Sequence, residues 1–131
     1  MNDLTKQCLA LPRARREYLI KVLEQSLRDK PKDDDPKRFA VLLKAATEVC
    51  GDGIMSQNKS FYPTLGRKMI AYKMREEGYS LAAVGRHLKK DRTTARTLAM
   101  KMEDAINFQF KEDMPLWEKF NELVTQYEKE V

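Results

Sequence analysis

The sequence contains few of the residues from which metal sites and catalytic groups are usually built. Its 131 residues include two cysteines, Cys8 and Cys50, which form no C-x-x-C pair, and one histidine, His87. A zinc site made of cysteine and histidine needs a tetrahedral set of ligands, which these residues cannot supply. Catalytic arrangements of the Ser-His-Asp or Cys-His kind are excluded as well, unless His87 serves in one. We therefore expect no metal, no cofactor and no enzymatic activity.

Long apolar runs and nucleotide-binding loops are also absent. No segment approaches the roughly 20 apolar residues of a membrane-spanning helix, and the N-terminal residues lack the basic, apolar and small-residue order of a signal peptide. The phosphate-binding pattern G-x-x-x-x-G-K-[ST] occurs nowhere in the chain. These absences predict a cytoplasmic protein that binds neither a membrane nor a nucleotide.

Glycine and proline are scarce, with five of each, and the apolar residues recur three and four positions apart. This spacing is typical of amphipathic helices, so the fold is expected to be all-α. Residues 1–30 contain a stripe of Leu19, Val22 and Leu23, which predicts an N-terminal amphipathic helix as an appendage. Residues 31–36 are polar and contain two prolines, as a linker would, and the helical domain is expected over the remainder, 37–131.

Residues that start and stop helices mark boundaries within this domain. Asp35 followed by Pro36 is typical of an N-cap and a first helical residue, and Gly51 is a typical stop, so a helix is predicted over residues 36–50. Another helix is predicted over residues 64–77, where a second glycine follows. Its expected core positions are Leu65, Met69, Ile70 and Met74.

The C-terminal segment has a strong amphipathic pattern. Asp113 is placed to cap a helix, and the apolar positions that follow are Trp117, Phe120, Val124, Tyr127 and Val131. We expect this apolar face to pack against the protein's own core. The alternative is that the face stays exposed and docks a partner protein or a second copy of the chain.

Positive charge is concentrated in the middle of the chain. The net charge is +5, but residues 51–101 contain eleven basic and four acidic residues, so this segment carries +7 and the remainder −2. A basic block within a folded region is typical of proteins that bind polyanions, because lysine and arginine neutralise phosphates and release their counterions. The charge pattern therefore favours a nucleic acid as the partner.

Two helical patterns adjoin inside this basic segment, over residues 80–107. Ser80 is placed to cap the first helix, and Gly85 would let a neighbouring helix approach it closely. About three residues separate the two patterns, and Asp91 is placed to cap the second helix. The apolar stripes are Leu81, Val84 and Leu88 in the first helix and Ala95, Leu98 and Met102 in the second. Two helices joined in this way form a helix-turn-helix, whose second helix offers its N-terminal turns to the DNA major groove.

The outer face of the second helix carries side chains that suit DNA. Its members are Thr93, Arg96, Thr97 and Met100, and Arg92 projects from the first turn. Arginine can bond both acceptors of guanine, and threonine can hydrogen-bond a base or touch a thymine methyl group. Lys89 and Lys90 in the turn are expected to face phosphates, as is Thr94, because a helix N-terminus attracts anions. An ordinary solvated face is the alternative interpretation of Arg96 and Thr97.

The stretch GRKMIAYKMREEGYSLAAVGRHLKKDRTTARTLAMKM resembles the C-terminal DNA-binding domain of the bacterial replication initiator DnaA, a Trp-repressor-like helix-turn-helix. The matching features are Arg67 ahead of an apolar helix that ends in Arg-Glu, the SLAAVG segment at residues 80–85 and the KDRTTA segment at residues 90–95. The resemblance covers roughly residues 54–106, and no ATPase module accompanies it.

The resemblance implies a role for each matching position. Asp91, Arg92 and Thr93 would touch bases in the major groove, Thr94 would contact the DNA backbone, and Arg67 would enter the minor groove. Arg92 stands where the family has a histidine, which keeps a donor and adds charge, so DNA binding is implied but the recognition sequence of the family is not. A domain of this kind without its ATPase would suit a small regulator or a protein of a phage or mobile element.

We therefore predict that the chain binds double-stranded DNA with sequence specificity and acts by occupancy. The alternative is a protein-interaction or assembly module on the same helix-turn-helix scaffold, with a homodimer or protein partner bound through the N- or C-terminal helix. A nuclease that uses the aspartates of residues 33–35 is the least favoured reading, because three consecutive carboxylates cannot all face one metal ion and Asp35 is expected to cap a helix.

Overall fold

Helices account for most of the residues that the structure describes. The computed structural model describes residues 32–130, and the chain divides into two units between Pro31 and Lys32. The predicted N-terminal helix and Val131 lie outside the described residues. The order of elements is α1 (Pro36–Cys50), a short 3-10 helix (Asp52–Met55), α2 (Phe61–Glu76), α3 (Leu81–Leu88), α4 (Arg92–Asn107) and α5 (Met114–Lys129). The predicted all-α class is confirmed, since residues 32–130 contain no strand beyond an isolated bridge between Lys32 and Tyr79.

The predicted start and stop of α1 are confirmed. The Asp35 carboxylate accepts a hydrogen bond from the backbone N–H of Arg38 at 3.1 Å, and Pro36 occupies the first turn, where the helix needs no N–H donor. Gly51 follows the helix at a φ of 91°, a conformation that residues with a Cβ rarely adopt. Gly78 follows the end of α2 in a similar conformation, at a φ of 98°.

Helix α2 begins at Phe61, earlier than the start predicted at Thr64. The predicted range therefore left Pro63 outside the helix. The structure instead has Pro63 within the first turn. The N–H groups of a first turn have no acceptor inside the helix, so the missing donor costs no hydrogen bond there.

Helix α2 packs against both α1 and α4 and contributes much of the core. Its predicted core positions are all fully buried: Leu65, Met69, Ile70 and Met74. Gly66 lies so close to the 3-10 helix that a Cβ at this position would be 2.7 Å from the side chain of Ile54. The absence of a side chain at Gly66 therefore allows the 3-10 helix to pack directly on α2.

Helix α5 packs its apolar face against α1, which confirms the prediction that this face joins the protein's own core. Phe120 is fully buried, and the Tyr127 hydroxyl donates a hydrogen bond to the Glu48 carboxylate of α1. The predicted cap of α5 is wrong. Asp113 has helical backbone angles, φ −84° and ψ −37°, and its side chain makes no capping hydrogen bond. The carboxylate is buried instead, with one oxygen 4.0 Å from the Lys68 Nζ.

The first described residues are tied to the start of α3. The backbone N–H of Lys32 donates to the Gly78 carbonyl, and the Lys32 carbonyl accepts from the Ser80 N–H, both at 2.9 Å. The Tyr79 hydroxyl donates to the Asp35 carboxylate at 2.8 Å. These bonds fix the chain that enters α1 against the chain that enters α3. None of the described helices combines the length and the apolar character needed to cross a bilayer.

Candidate nucleic-acid interface

The turn between α3 and α4 consists of Lys89, Lys90 and Asp91. Lys89 adopts a left-handed conformation at a φ of 57°, and the N–H of Lys90 donates to the Gly85 carbonyl at 2.8 Å. This bond draws the turn onto α3, where a Cβ at Gly85 would lie 2.7 Å from the Lys90 carbonyl oxygen. The sequence predicted that a neighbouring helix approaches Gly85 closely. In the structure the backbone of Lys90 and Asp91, which leads into α4, makes this approach.

The predicted caps of α3 and α4 are both confirmed. Ser80 accepts a hydrogen bond from the Ala83 N–H at 3.1 Å, and Asp91 accepts one from the Thr94 N–H at 2.6 Å. The bond from the Thr94 backbone lowers the pKa of Asp91, because it stabilises the ionised carboxylate. Local sequence thus fixes both helix starts and the turn between them.

Helix α4 divides into a buried and an exposed face, as the apolar spacing predicts. The buried positions are Ala95, Leu98, Ala99, Met102, Glu103 and Ala105. The exposed positions in the first turns are Arg92, Thr93, Arg96 and Thr97. The Thr97 hydroxyl donates to the Thr93 carbonyl at 3.1 Å, which leaves the hydroxyl oxygen available as an acceptor. The exposed face therefore offers two guanidinium groups and two threonine side chains to a ligand.

A groove of about 520 Å³ lies between α4 and the segment that precedes α2. Its lining residues are Gln57, Lys59, Thr64, Arg67, Lys90, Thr93, Thr94, Thr97, Leu98 and Lys101. Apart from Leu98 these side chains are polar, and none of them is acidic. A groove lined by cations and hydroxyl groups, with no carboxylate, has the chemistry of an anion-binding surface.

Most of the cations around this groove and in the first turns of α4 form no ion pair with another described residue. Within residues 32–130 the ion pairs of 4.0 Å or less join other cations, including Arg38 with Glu77 and Arg86 with Asp34. The cations without such a pair here are Lys59, Lys89, Lys90, Arg92, Arg96 and Lys101. Their charge is therefore not neutralised by the described part of the chain.

The side chain of Arg67 is buried, which does not fit the minor-groove contact that the resemblance implied. It is 5% exposed, and its guanidinium donates to the carbonyls of Ile54 at 2.9 Å, Ser56 at 3.1 Å and Asn58 at 2.6 Å. A further bond of 3.1 Å reaches the Thr64 hydroxyl. Burial lowers the pKa of the guanidinium. To enter a DNA groove, Arg67 would have to break these bonds, and its direct contact with DNA stays a prediction of the resemblance.

The structure brings together some of the predicted site residues and leaves others apart. Those that line the groove are Arg67, Lys90, Thr93, Thr94 and Thr97. Lys89, Arg92 and Arg96 are exposed but do not line it, and Asp91 is the cap of α4. The groove residues that the sequence did not single out are Gln57, Lys59, Thr64 and Lys101.

Only Lys101 among these additional residues carried a local signal. It follows Thr93 and Thr97 at intervals of four residues, which places all three on one face of a helix. Gln57 and Lys59 reach the groove because the chain before α2 lies next to α4, and helical spacing cannot reveal that contact.

His87, the residue left open for catalysis, lies in the last turn of α3 and contacts residues at the start of α1. Its ring stacks on Phe39 with 4.9 Å between ring centroids, and its Nε2 accepts a hydrogen bond from the Asp35 N–H at 3.0 Å. Within the described part of the chain, no group of three or more His, Cys, Asp or Glu side chains is placed to hold a metal ion. His87 therefore helps to hold α1 against α3.

Comparison of the chain with known protein families, with curated proteins and with solved structures found no match. The resemblance to the DnaA domain thus depends on the quoted residues alone, and the roles that it implies remain predictions.

Proposed function

We propose that this chain is a sequence-specific double-stranded DNA-binding protein that acts by occupancy and not by catalysis. The observation that carries the proposal is the exposed start of α4, where Arg92, Thr93, Arg96 and Thr97 project from a helix joined to α3 by a three-residue turn. A helix presented in this way can enter the major groove and direct the side chains of its first turns to the base edges, as in a helix-turn-helix.

The cations that form no ion pair with another described residue would supply the sequence-independent part of the affinity. Lys89 and Lys90 in the turn, together with Lys59 and Lys101 at the groove, can each neutralise a phosphate and release a counterion. The N–H of Thr94 is already bonded to Asp91, so a phosphate contact by Thr94 would use its hydroxyl group. These contacts would fix the orientation of α4 on the duplex.

Base recognition would come from the residues at the tip of α4. The Arg92 guanidinium has no carboxylate partner among the described residues and can donate to both O6 and N7 of one guanine, a pairing that discriminates by about 1–3 kcal/mol. Thr93 can touch a thymine methyl group or hydrogen-bond a base. Asp91 uses Oδ1 as the cap, which leaves Oδ2 able to accept from a cytosine amino group.

The cellular role rests on the resemblance. A DnaA-like, Trp-repressor-like domain without an ATPase would compete for or mark DNA sites, which fits a transcription or replication regulator or a protein of a phage or mobile element. We place this role in the cytoplasm, where the DNA of a bacterial cell lies.

Selection of bound sequences from a random duplex pool tests the proposal. The full chain should enrich one short motif, and Arg92→Ala should relax the preference at one position of it. Lys119→Ala is the matched control, because Lys119 is an exposed cation of α5 that does not line the groove. A folded protein whose bound pool matches the input pool would overturn sequence-specific binding.

A second candidate function, a protein-interaction module, is favoured by one observation. Phe108 and Phe110, which follow α4, are 67% and 46% exposed, and their rings stack with 6.4 Å between centroids. The apolar face of α5 is buried in the core, so a partner would use this phenylalanine pair instead. The double variant Phe108→Ser, Phe110→Ser separates the two functions. If the double variant binds DNA and sediments like the wild type, the DNA proposal is supported. If the wild type is an oligomer that binds no DNA and the double variant is dissociated, the alternative is supported.

A further inference from the structure

Arg67 has an unusual set of partners for a buried cation. Its guanidinium meets no carboxylate within the described residues and instead donates to three backbone carbonyls, those of Ile54, Ser56 and Asn58. A planar guanidinium with several N–H donors can hold such acceptors at the same time, which an ammonium group cannot do with the same geometry. Arg67 therefore connects α2 to the chain that precedes it at three points.

The chain between the 3-10 helix and α2 has few other bonds to hold it. The Ser56 N–H donates to the Gly53 carbonyl at 3.1 Å, the Asn58 N–H to the Ser56 hydroxyl at 3.1 Å and the Ser60 N–H to the Asn58 side chain at 2.8 Å. The Ser56 hydroxyl also donates to the Gly53 carbonyl, and the Thr64 N–H of α2 donates to the Ser60 carbonyl at 3.2 Å. All of these bonds join residues no more than four positions apart. The bonds from Arg67 are the longer-range ones: they connect Ser56 and Asn58 to a side chain nine or more residues further along the chain, inside α2.

This segment carries Gln57 and Lys59, which line the groove opposite Thr93, Thr97 and Lys101 of α4. Lys59 is exposed and lies next to Asn58, whose carbonyl receives the shortest of the Arg67 bonds, 2.6 Å. The position of the Lys59 cation relative to α4 thus depends on the Arg67 guanidinium.

We propose that Arg67 is a positioning residue for DNA binding: it fixes residues 54–58 so that Lys59 meets a phosphate of the strand that passes through the groove, and it makes no DNA contact itself. This inference rests on the proposed function and adds a second contact region, outside α3 and α4, to the interface. Arg67→Lys retains the positive charge but loses the planar set of donors, so the segment should loosen and Lys59 should lose its contact.

Fluorescence anisotropy with a selected duplex, on full-length variants, tests this role by a double-mutant cycle. Arg67→Lys should weaken binding by up to about fivefold although the charge is kept, and Lys59→Gln should weaken wild-type binding about fivefold but the Arg67→Lys protein by less than about twofold. Lys101→Gln is the control, because Lys101 belongs to α4, and its effect should be the same in both backgrounds. Wild-type affinity in Arg67→Lys, or additive effects of Arg67→Lys and Lys59→Gln, would overturn the inference.

Hydrogen exchange in the DNA-free protein gives an independent readout. Arg67→Lys should accelerate exchange of the Asn58 and Ser60 amides and leave the amides of α4 unchanged, whereas a direct DNA contact by Arg67 predicts no change in the free protein. Circular dichroism must show a folded variant, and loss of the whole fold would also overturn the inference, because Arg67 would then stabilise the entire unit. If the wild type does not bind DNA, the proposed function is wrong. If the wild type binds DNA and Arg67→Lys binds it with the same affinity, only this inference is wrong.

Discussion

The carboxylate of Asp91 accepts a hydrogen bond from the backbone N–H of Thr94 at 2.6 Å, across the first turn of α4. This bond joins a residue expected to read a base to a residue expected to touch a phosphate. The cap uses one oxygen of the Asp91 carboxylate and the Thr94 amide, and the Thr94 side chain also lowers the pKa of this carboxylate. The stability of α4 and the chemistry of its tip are therefore linked through Asp91.

Two replacements of Asp91 should distinguish the effect of its capping hydrogen bond on stability from the effect of its negative charge. Asp91→Ala removes the acceptor and should lower the melting temperature, whereas Asp91→Asn keeps an acceptor and should change it much less. Because the folded pKa of Asp91 is lowered, its contribution to stability is present above the unfolded pKa of about 3.9 and is lost as the pH falls through the folded pKa. Thermal melts at neutral and at strongly acidic pH should show the Asp91→Ala deficit shrinking in acid. A deficit that grows in acid would argue against the cap.

Arg92→Ala should weaken binding to a selected duplex by about 1–3 kcal/mol and broaden the preference at one base pair. The reason is that the guanidinium is exposed at the tip of α4 and can make two bonds to one guanine. Anisotropy titrations on the selected site and on single-base variants measure both effects, with Lys119→Ala as the charge-matched control. An equal loss on every sequence would assign Arg92 to phosphate contact instead.

Gly85→Ala should destabilise the unit by about 1–3 kcal/mol, because the new methyl group would be 2.7 Å from the Lys90 carbonyl oxygen and the turn backbone would have to shift. The same shift should displace the start of α4 and reduce DNA affinity at temperatures where the protein stays folded. Urea denaturation monitored by circular dichroism measures the loss of stability. Ala82→Ser, on the exposed side of the same helix, is the control, and equal stability of the two variants would contradict the close packing at Gly85.

Two tyrosines should make stability fall in alkali. Burial and the bond to Asp35 raise the pKa of Tyr79 to about 12, and the bond to Glu48 raises the pKa of Tyr127 to about 12. Both folded values exceed the unfolded value of about 10, so each phenol contributes stability that is full below that pH and lost as the pH rises from about 10 to about 12. Absorbance titration of phenolate should lose one late-titrating group in Tyr79→Phe and another in Tyr127→Phe.

Much of the fold is predictable because its boundaries depend on local chemistry. Asp35, Ser80 and Asp91 cap helices through side chains that bond an amide three residues later, and Gly51 and Gly78 accept backbone angles that other residues avoid. The two errors at helix starts have local causes too. Pro63 is tolerated inside a first turn, and Asp113 has helical backbone angles that do not suit a cap.

The candidate site is less predictable, because part of it comes from contacts between distant segments. The exposed face of α4 follows from helical spacing, and so does the alignment of Lys101 with Thr97. The burial of Arg67 depends on where the carbonyls of Ile54 and Asn58 lie, and no pattern in the sequence determines the path of that chain. The resemblance implied that Arg67 contacts DNA, whereas in the structure its guanidinium donates hydrogen bonds to backbone carbonyls of its own chain.

The salt dependence of duplex binding tests the proposed function most directly. If four lysines, Lys59, Lys89, Lys90 and Lys101, each neutralise one phosphate, the logarithm of the binding constant should fall with the logarithm of salt concentration at a slope of about −3 to −4. Lys90→Gln should reduce the magnitude of this slope by about 1, and Lys119→Gln should leave it unchanged. A folded protein that binds no duplex at low salt, or that binds with a slope near zero, would contradict DNA binding by this face.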